Sequence, residues 1–591
     1  MTRLHDGSHD EAQPQRSRRW WLVLGALGLM FSLPFLAPFK APPVPSFHAE
    51  TIAATLGLLA ISLAVAFRFT SAVPLPRLAA LPIVVCVLLL SQVLARHVPA
   101  PQPALLACLY LLWAGALIIA AAALREALGL TRVANALAAF VVAGGVLSAL
   151  AGVAQVFRSE ALASWVTASG GAVWGNLGQP NHFANYLALA LCSVLLLWVN
   201  GKLRTVSLVV IAGLLCCILP LSGSRSIWLY AASFVLVAGI WLYRDRSATN
   251  RKLFFATLCL IPVMLAADLT WDWLGIEGLT RLTSLDRMQG VALEERPYIW
   301  AAAWRMIQAA PWAGAGWGQF GWQHFLINGQ QAQPLSGYTH NAHNIVLHLG
   351  AELGVPGLLA VVLGAALWFM AARRLATTPA TWWVASMTGV IAIHSMLEYP
   401  LWYTYFLGIA AVVLGLTHGA KLESASSRLW RVAFVAGLAL GWFGLAQLYR
   451  DYVYLENFLA FRYRYIDAPP LVNQRAKEML LDIRRESLLA PYVELGLARS
   501  IQIGPEQLEA KRKVNAHAMR NFPIDDVVYR QAMLLALSGQ TQEAIAQWDL
   551  SEASYPALAE DALRVLRRRT EDLGGGLQGL LAHVESKPRR R

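Results

Sequence analysis

The chain has 591 residues, of which 57% are hydrophobic and only 14% charged, with a mean hydropathy of +0.49 and a formal net charge of +13. An ordinary soluble domain is about a quarter charged, so the composition excludes a soluble enzyme and points to an all-α, polytopic membrane protein. The positive charge falls mainly in short loops between apolar runs, which removes the case for a nucleic-acid partner.

Uncharged runs of roughly twenty residues, each able to cross about 30 Å of hydrocarbon, recur from Trp20 to Gln447; twelve or thirteen of them are expected, within about one or two. Residues 1–19 form a polar leader with Arg16, Arg18 and Arg19. The first run, Trp20 to Phe39, passes into "APFKAPPVPSFHAE" with no small-residue cleavage site, and reads as a retained anchor. With the leader on the cytoplasmic side, every second short loop is basic: Arg68 with Arg77, Arg125 with Arg132, Lys202 with Arg204, Arg244 to Lys252, Arg373 with Arg374, and Lys421 to Arg431. That is the positive-inside pattern. It places the loops around 158–181, 222–225 and 270–343 on the non-cytoplasmic side. All six cysteines lie inside expected spans, so no disulfide framework is implied.

The expected organisation is therefore a leader (1–19), an N-terminal membrane bundle (20–269), a large loop (270–343), further spans (344–447) and a helical domain rich in charge (448–591). Within the large loop, Glu294 to Ala309 has helical spacing and is accompanied by Trp300, Trp304, Trp312 and Trp317, a composition suited to the headgroup level. In the tail, two helical patterns meet at Gly539, and "TQEAIAQW" restarts the second, resembling one unit of a tetratricopeptide array. By the same parity the tail is expected outside the cytoplasm.

Five stretches place polar groups at the non-cytoplasmic ends of spans, where they are costly unless they face a cavity or find partners. "GNLGQPNHFANY" (Gly175 to Tyr186) combines Asn176, Gln179, Asn181, His182 and Asn185. Such residues make turns, yet at this density they also suit sugar hydroxyls or an amide. "SGSRSIW" carries Arg225, which either snorkels to the interface or offers its planar fork to a phosphate. In "EERPYIW", Arg296 stands just before the aromatic helix with Arg305 farther along it; either could pair with Glu294 or Glu295 at the surface, a reading that fits Arg305 better.

The fourth stretch, "YTHNAHNIVLHLGAELG", holds His340, His343 and His348. His340 and His343 could share a helical face, with His348 less well aligned. HExxH is absent, no cysteine is near and no third ligand is apparent, so no metal is expected. One histidine, with an ordinary pKa of about 6.5, suffices as a general base. Gly350, Gly354 and Gly357 follow at small-residue spacing that allows close helix packing. The fifth stretch, "HSMLEYPLWYTYFLG", carries His394, Glu398, Tyr399, Tyr403 and Tyr405. Its tyrosines fit an aromatic belt, whereas Glu398 is harder to dismiss. Arginines, neutral amides, one base and aromatic walls together suit an anionic, lipid-linked donor.

These same stretches resemble the bacterial PglL-type O-linked protein oligosaccharyltransferases, in the superfamily of O-antigen ligases and polymerases. The similarity runs from about Trp20 to Gln447, and the helical tail resembles that family's C-terminal domain. The resemblance implies a GT-C-like membrane fold in the bacterial inner membrane, with the active site and tail facing the periplasm. It also implies transfer of a glycan en bloc from undecaprenyl diphosphate to serine or threonine of a periplasmic protein such as a pilin, inverting, without metal or other cofactor. Carried over to this sequence, it makes His343 the base with His340 in reserve, and assigns Arg225 and Arg296 to the diphosphate. Gln179, Asn181, His182, Glu398, Tyr403 and, as an alternative, Tyr405 fall to the glycan or acceptor.

Other readings stay open at this stage. An O-antigen ligase would use lipid A-core as acceptor, and a polymerase another lipid-linked repeat. A transporter of the same lipid would bind it through the arginines without reaction, and the tail could act as a scaffold.

Overall fold

The computed structural model describes residues 12–68, 75–167, 173–274, 295–329, 337, 339–417, 421–422, 428–464, 478, 480–481 and 487–587. Its helices, in chain order, are α1 (Ala12–Met30), α2 (Leu33–Leu36), α3 (Phe47–Arg68), α4 (Ala80–Leu94), α5 (Gln102–Leu128), α6 (Leu130–Val156), α7 (Pro180–Val199), α8 (Thr205–Ile218), α9 (Ser226–Arg244) and α10 (Ala248–Leu274). There follow α11 (Arg296–Ala309), α12 (Phe320–Asn328), α13 (Ile345–Ala372), α14 (Pro379–Ser395), α15 (Thr404–Leu416) and α16 (Arg428–Arg464). The tail adds α17 (Ala490–Arg499), α18 (Leu508–Asn521), α19 (Asp525–Leu537), α20 (Thr541–Ser554), α21 (Ala559–Leu573) and α22 (Gln578–Ser586). Leu75–Pro76 pairs antiparallel with Lys421–Leu422.

Among the described residues, ten helices are long and apolar enough to cross a membrane. Such helices satisfy their backbone groups internally, as hydrocarbon requires. The chain is a polytopic, all-α membrane protein. The count of about thirteen included α14, α15 and the opening of α16, which are also helical and have 17, 13 and 37 residues.

Two compact units emerge. The first comprises residues 1–84, 109–293 and 362–446. Its centre is α7, buried from His182 to Leu197, which packs along α6. The close approach requires glycine: a Cβ on Gly144 would stand 2.0 Å from the Tyr186 hydroxyl, and one on Gly145 2.3 Å from Ala190 Cβ. Tyr186 stacks on Phe35 at 3.8 Å and donates to the Phe31 carbonyl at 2.9 Å, tying α7 to the end of α1.

The second unit comprises residues 85–108, 294–361 and 447–591. The expected hairpin forms as α19 and α20, joined through Gly539 at φ +78°, around Tyr529 and the buried Trp548. The expected loop helix also forms, with Trp304 exposed on one side and the other side packed in protein. Ile299, Ala302, Ala303, Met306 and Ile307 face Phe320, Ala342 and Ala351, so α11 buries one side in protein.

One addition concerns the glycines after His348. Their spacing suggested close packing against another helix; the structure adds a break in α13 at Gly354, with φ +68° and ψ −157°. That backbone region is essentially reserved for glycine. The break lets the Val355 amide donate to the Pro311 carbonyl at 2.7 Å.

Candidate functional site

The candidate residues fall in both units, and each group is described within its own.

In the first unit, Pro180 opens α7 and Gln179 caps it: the Gln179 side-chain oxygen accepts from the His182 amide at 2.5 Å. Proline at the first helical position and a capping acceptor before it are the usual chemistry of a helix start. Asn181 then donates to Glu398 Oε1 at 2.7 Å, joining two motifs 217 residues apart. His182 is buried edge-on to Tyr403, with ring centroids 4.7 Å apart, and to His394 at 5.3 Å. The Tyr230 hydroxyl and His394 Nδ1 are 3.0 Å apart. Tyr399 stacks on Tyr403 at 5.8 Å, and Tyr405 is buried 5.4 Å from Tyr403. Thus Gln179, Asn181, His182, Glu398, Tyr403 and Tyr405 gather at one end of this unit.

The neutral amides do not all remain available to a ligand. Asn176 accepts from the Thr167 amide and donates to the carbonyls of Leu36 and Trp165, each at 2.9 Å, and so staples the loop. Asn185 is fully buried, and neither atom of its amide has a hydrogen-bond partner among the described residues. Arg225 is exposed on the turn from α8 to α9, which Gly223 makes with φ +63°. The turn belongs to the same end, since Ile218 and Phe183 would both touch a Cβ placed on Gly152.

Lys40 and Glu50 also stand at this end and carried no role in the sequence reading. Lys40 lays its Cδ and Cε against Gly178, within 3.7 Å of where a Cβ would be. Burial pushes its pKa down to about 8, against the attraction of Glu50. Glu50 accepts from the Ser46 hydroxyl at 2.6 Å, and its carbonyl accepts from Thr404 Oγ1 at 3.0 Å. The available signal was a lysine in a loop that the charge alternation assigns to the non-cytoplasmic side.

In the second unit, His343 is half-buried and has φ +50°, a left-handed backbone unusual for a side chain of this size. Its surroundings hold it there. The His343 amide donates to Asn341 Oδ1 at 2.9 Å, and the preceding carbonyl, of Ala342, accepts from Trp300 Nε1 at 3.0 Å. The Ala342 amide points at His348 Nδ1 from 3.4 Å. Asn344 caps α13, accepting from the amides of Val346 and Leu347 at 3.0 and 3.2 Å. His348 Nε2 lies 3.4 Å from Glu352 Oε2, both side chains being 2% exposed. The other oxygen of Glu352 accepts from the Phe320 amide at 3.0 Å.

His340 is exposed on the same loop, and Arg296 is half-buried at the first position of α11. Arg305 is exposed farther along that helix. No group of three His, Cys, Asp or Glu that could hold a metal ion occurs among the described residues.

Comparison with known families places these loops. Residues 208–362 match the family described as O-antigen ligase, a range that contains Arg225, Arg296, His340 and His343. Over that range the chain is similar to O-antigen ligases. Residues 382–569 match the family described as virulence factor membrane-bound polymerase, C-terminal, and contain Glu398, Tyr403 and Tyr405. Two curated relatives come from Acinetobacter baylyi. A general O-oligosaccharyltransferase is 28% identical over 301 residues, covering 48% of this chain and 51% of the relative. A ComP-specific O-oligosaccharyltransferase is 21% identical over 253 residues, covering 43% of this chain and 45% of the relative. The chain spans about half the length of the curated relatives it matches.

Proposed function

We propose that this protein is an O-linked protein oligosaccharyltransferase of the bacterial inner membrane, transferring a glycan en bloc from undecaprenyl diphosphate to serine or threonine of a periplasmic protein such as a pilin. The observation that carries this reading is the His343 loop: an imidazole on a left-handed backbone, held by Asn341, Trp300 and His348, inside the segment matched to O-antigen ligases. Backbone held in a rare conformation by its surroundings is characteristic of functional sites. The oligosaccharyltransferase relatives favour a protein acceptor.

In the proposed reaction, His343 takes the proton of the acceptor hydroxyl as its oxygen attacks the anomeric carbon. The bond from that carbon to the phosphate oxygen breaks, the diphosphate leaves with the electron pair, and a single displacement inverts the centre. Positive character on the sugar and negative charge on the leaving group develop together, as in glycoside hydrolysis. Arg225 and Arg296 are assigned to the diphosphate, where one donor bound more tightly in the transition state contributes about 3 kcal/mol. General-base assistance contributes ~10²–10⁴-fold. Gln179, Asn181, His182, His340, Glu398, Tyr403 and Tyr405 are assigned to the glycan or acceptor, and no metal takes part.

The family descriptions keep one alternative in view, in which the same donor chemistry serves a lipid acceptor, as in an O-antigen ligase or polymerase. The deciding experiment supplies a glycosylation-negative host with a lipid-linked glycan and a candidate pilin, and compares wild type with His343→Ala at equal membrane expression. Intact-protein mass spectrometry should find the glycan mass on the pilin with wild type alone. An unmodified pilin together with an altered lipopolysaccharide profile would assign the acceptor to lipid and overturn the protein reading.

A further inference from the structure

The hydrogen bonds behind the His343 loop have a direction, and it follows from which groups can donate. The Ala342 amide has only a proton to offer, so His348 Nδ1, 3.4 Å away, must present a lone pair. In a neutral imidazole the proton then resides on Nε2, which faces Glu352 Oε2 at 3.4 Å. The carboxylate is the acceptor that this tautomer needs. His348 and Glu352 stand one helical turn apart on α13, the spacing that stacks side chains on one face.

Glu352 is itself anchored at three points. Its Oε1 accepts from the Phe320 amide at 3.0 Å, while its carbonyl accepts from Gln92 Nε2 at 2.8 Å and from the Gly316 amide at 3.1 Å. These contacts join α4, the segment before α12 and the first half of α13. Gly314 permits the approach, because a Cβ there, at φ +68°, would lie 2.3 Å from the Glu352 carbonyl. A carboxylate fixed in this way sets the ring plane of His348, and the ring holds the peptide between Asn341 and Ala342, one peptide before that of His343.

We infer that His348 and Glu352 are positioning residues, in which a neutral His348 protonated at Nε2 accepts the Ala342 amide and donates to Glu352, fixing the left-handed backbone from which His343 projects. Their contribution to turnover rests on His343 being the base proposed above; their hold on the loop does not. Misplacing a catalytic group by about 1 Å costs ~10²-fold in rate, and two directional contacts at one end of the loop bias which conformation it holds.

The test uses the full-length protein in detergent and three variants. His348→Asn keeps an acceptor oxygen near the position of Nδ1. His348→Gln moves the amide toward Nε2 and leaves the Ala342 amide without an acceptor, and Glu352→Gln forces the dyad either to lose a bond or to reverse its tautomer. Hydrogen exchange of the 339–344 amides reads the loop directly, and kcat and KM for a lipid-linked donor read the reaction. The expected result is faster exchange at Ala342 and a kcat lowered ~10²-fold with unchanged donor KM in His348→Gln. Glu352→Gln should move in the same direction, and His348→Asn should keep most of both properties. Equal exchange and equal kcat in the Asn and Gln variants would overturn the inference. If even wild type turned over no donor, the transferase reading would fall, while the exchange comparison would still decide the positioning role.

Discussion

His324 offers a quantitative test of the packing behind the proposed base. It stands on α12, 1% exposed, stacked on Phe320, and neither ring nitrogen has a hydrogen-bond partner among the described residues. Burial pushes its pKa down to about 4, whereas an unfolded histidine titrates at about 6.5. Above pH 6.5 both states are neutral and the group contributes no pH dependence. As the pH falls, the unfolded chain takes a proton that the native site refuses, so stability drops until the native site titrates near pH 4. Between pH 7 and 5 the linkage relation gives a loss of about 2 kcal/mol, or roughly 4–8 °C in Tm for a unit of this size. His324→Phe abolishes the titration. Thermal unfolding in detergent at both pH values should show a smaller acid-induced fall for the variant by that amount. Taking the difference between the two pH values cancels any packing change caused by the larger ring. Equal falls in Tm for wild type and variant would refute the claim that His324 is buried and neutral.

Gly354→Ala should lower Tm strongly, because the backbone region costs any other residue about 1–3 kcal/mol and the new Cβ would lie 2.5 Å from the Pro311 carbonyl oxygen; thermal shift in detergent measures it. Asn181→Asp would set two carboxylates against each other where Asn181 now donates to Glu398 at 2.7 Å. Transfer activity should therefore fall further than in Asn181→Ser and recover partly on acidification, since protonating either group relieves the repulsion. Lys40 has a native pKa of about 8 against about 10.4 unfolded. The native state sheds its proton first, so stability should rise from pH 8 towards 10, and Lys40→Met should flatten that rise in a Tm series.

Apolar run length exposed the membrane helices because hydrocarbon imposes a single requirement on every span. It could not expose the break in α13. Gly350, Gly354 and Gly357 at small-residue spacing read as a packing face, and the left-handed turn at Gly354 is dictated by the Pro311 backbone, more than forty positions earlier. The candidate motifs were legible as polar groups in costly places, but their pairings were not. Asn181 with Glu398 and His348 with the Ala342 amide are contacts of tertiary structure, and no local periodicity encodes them. His348 read as less well aligned with a helical face shared by His340 and His343; in the structure those two residues lie in the loop before α13, and His348 is the histidine on the helix. Lys40 left a trace in the charge pattern; the near-total burial of Asn185 left none.

The left-handed backbone at His343 yields one more argument, about why that residue is a histidine. Asparagine and glycine adopt this region more readily than other residues, so stability alone would favour either of them at a position with φ +50°. The hydrogen bonds that hold the loop use the backbone at 342 and 343 and the side chains of Asn341, Trp300 and His348. What neither glycine nor asparagine supplies at that position is a group able to take a proton near neutral pH, as an imidazole can. His343→Gly should therefore keep the left-handed backbone, which glycine adopts freely, while abolishing transfer of the glycan; Tm in detergent and transfer are read together. A variant that loses both stability and transfer would show that the imidazole supports the fold, and the loss of activity could then no longer be read as the loss of a base.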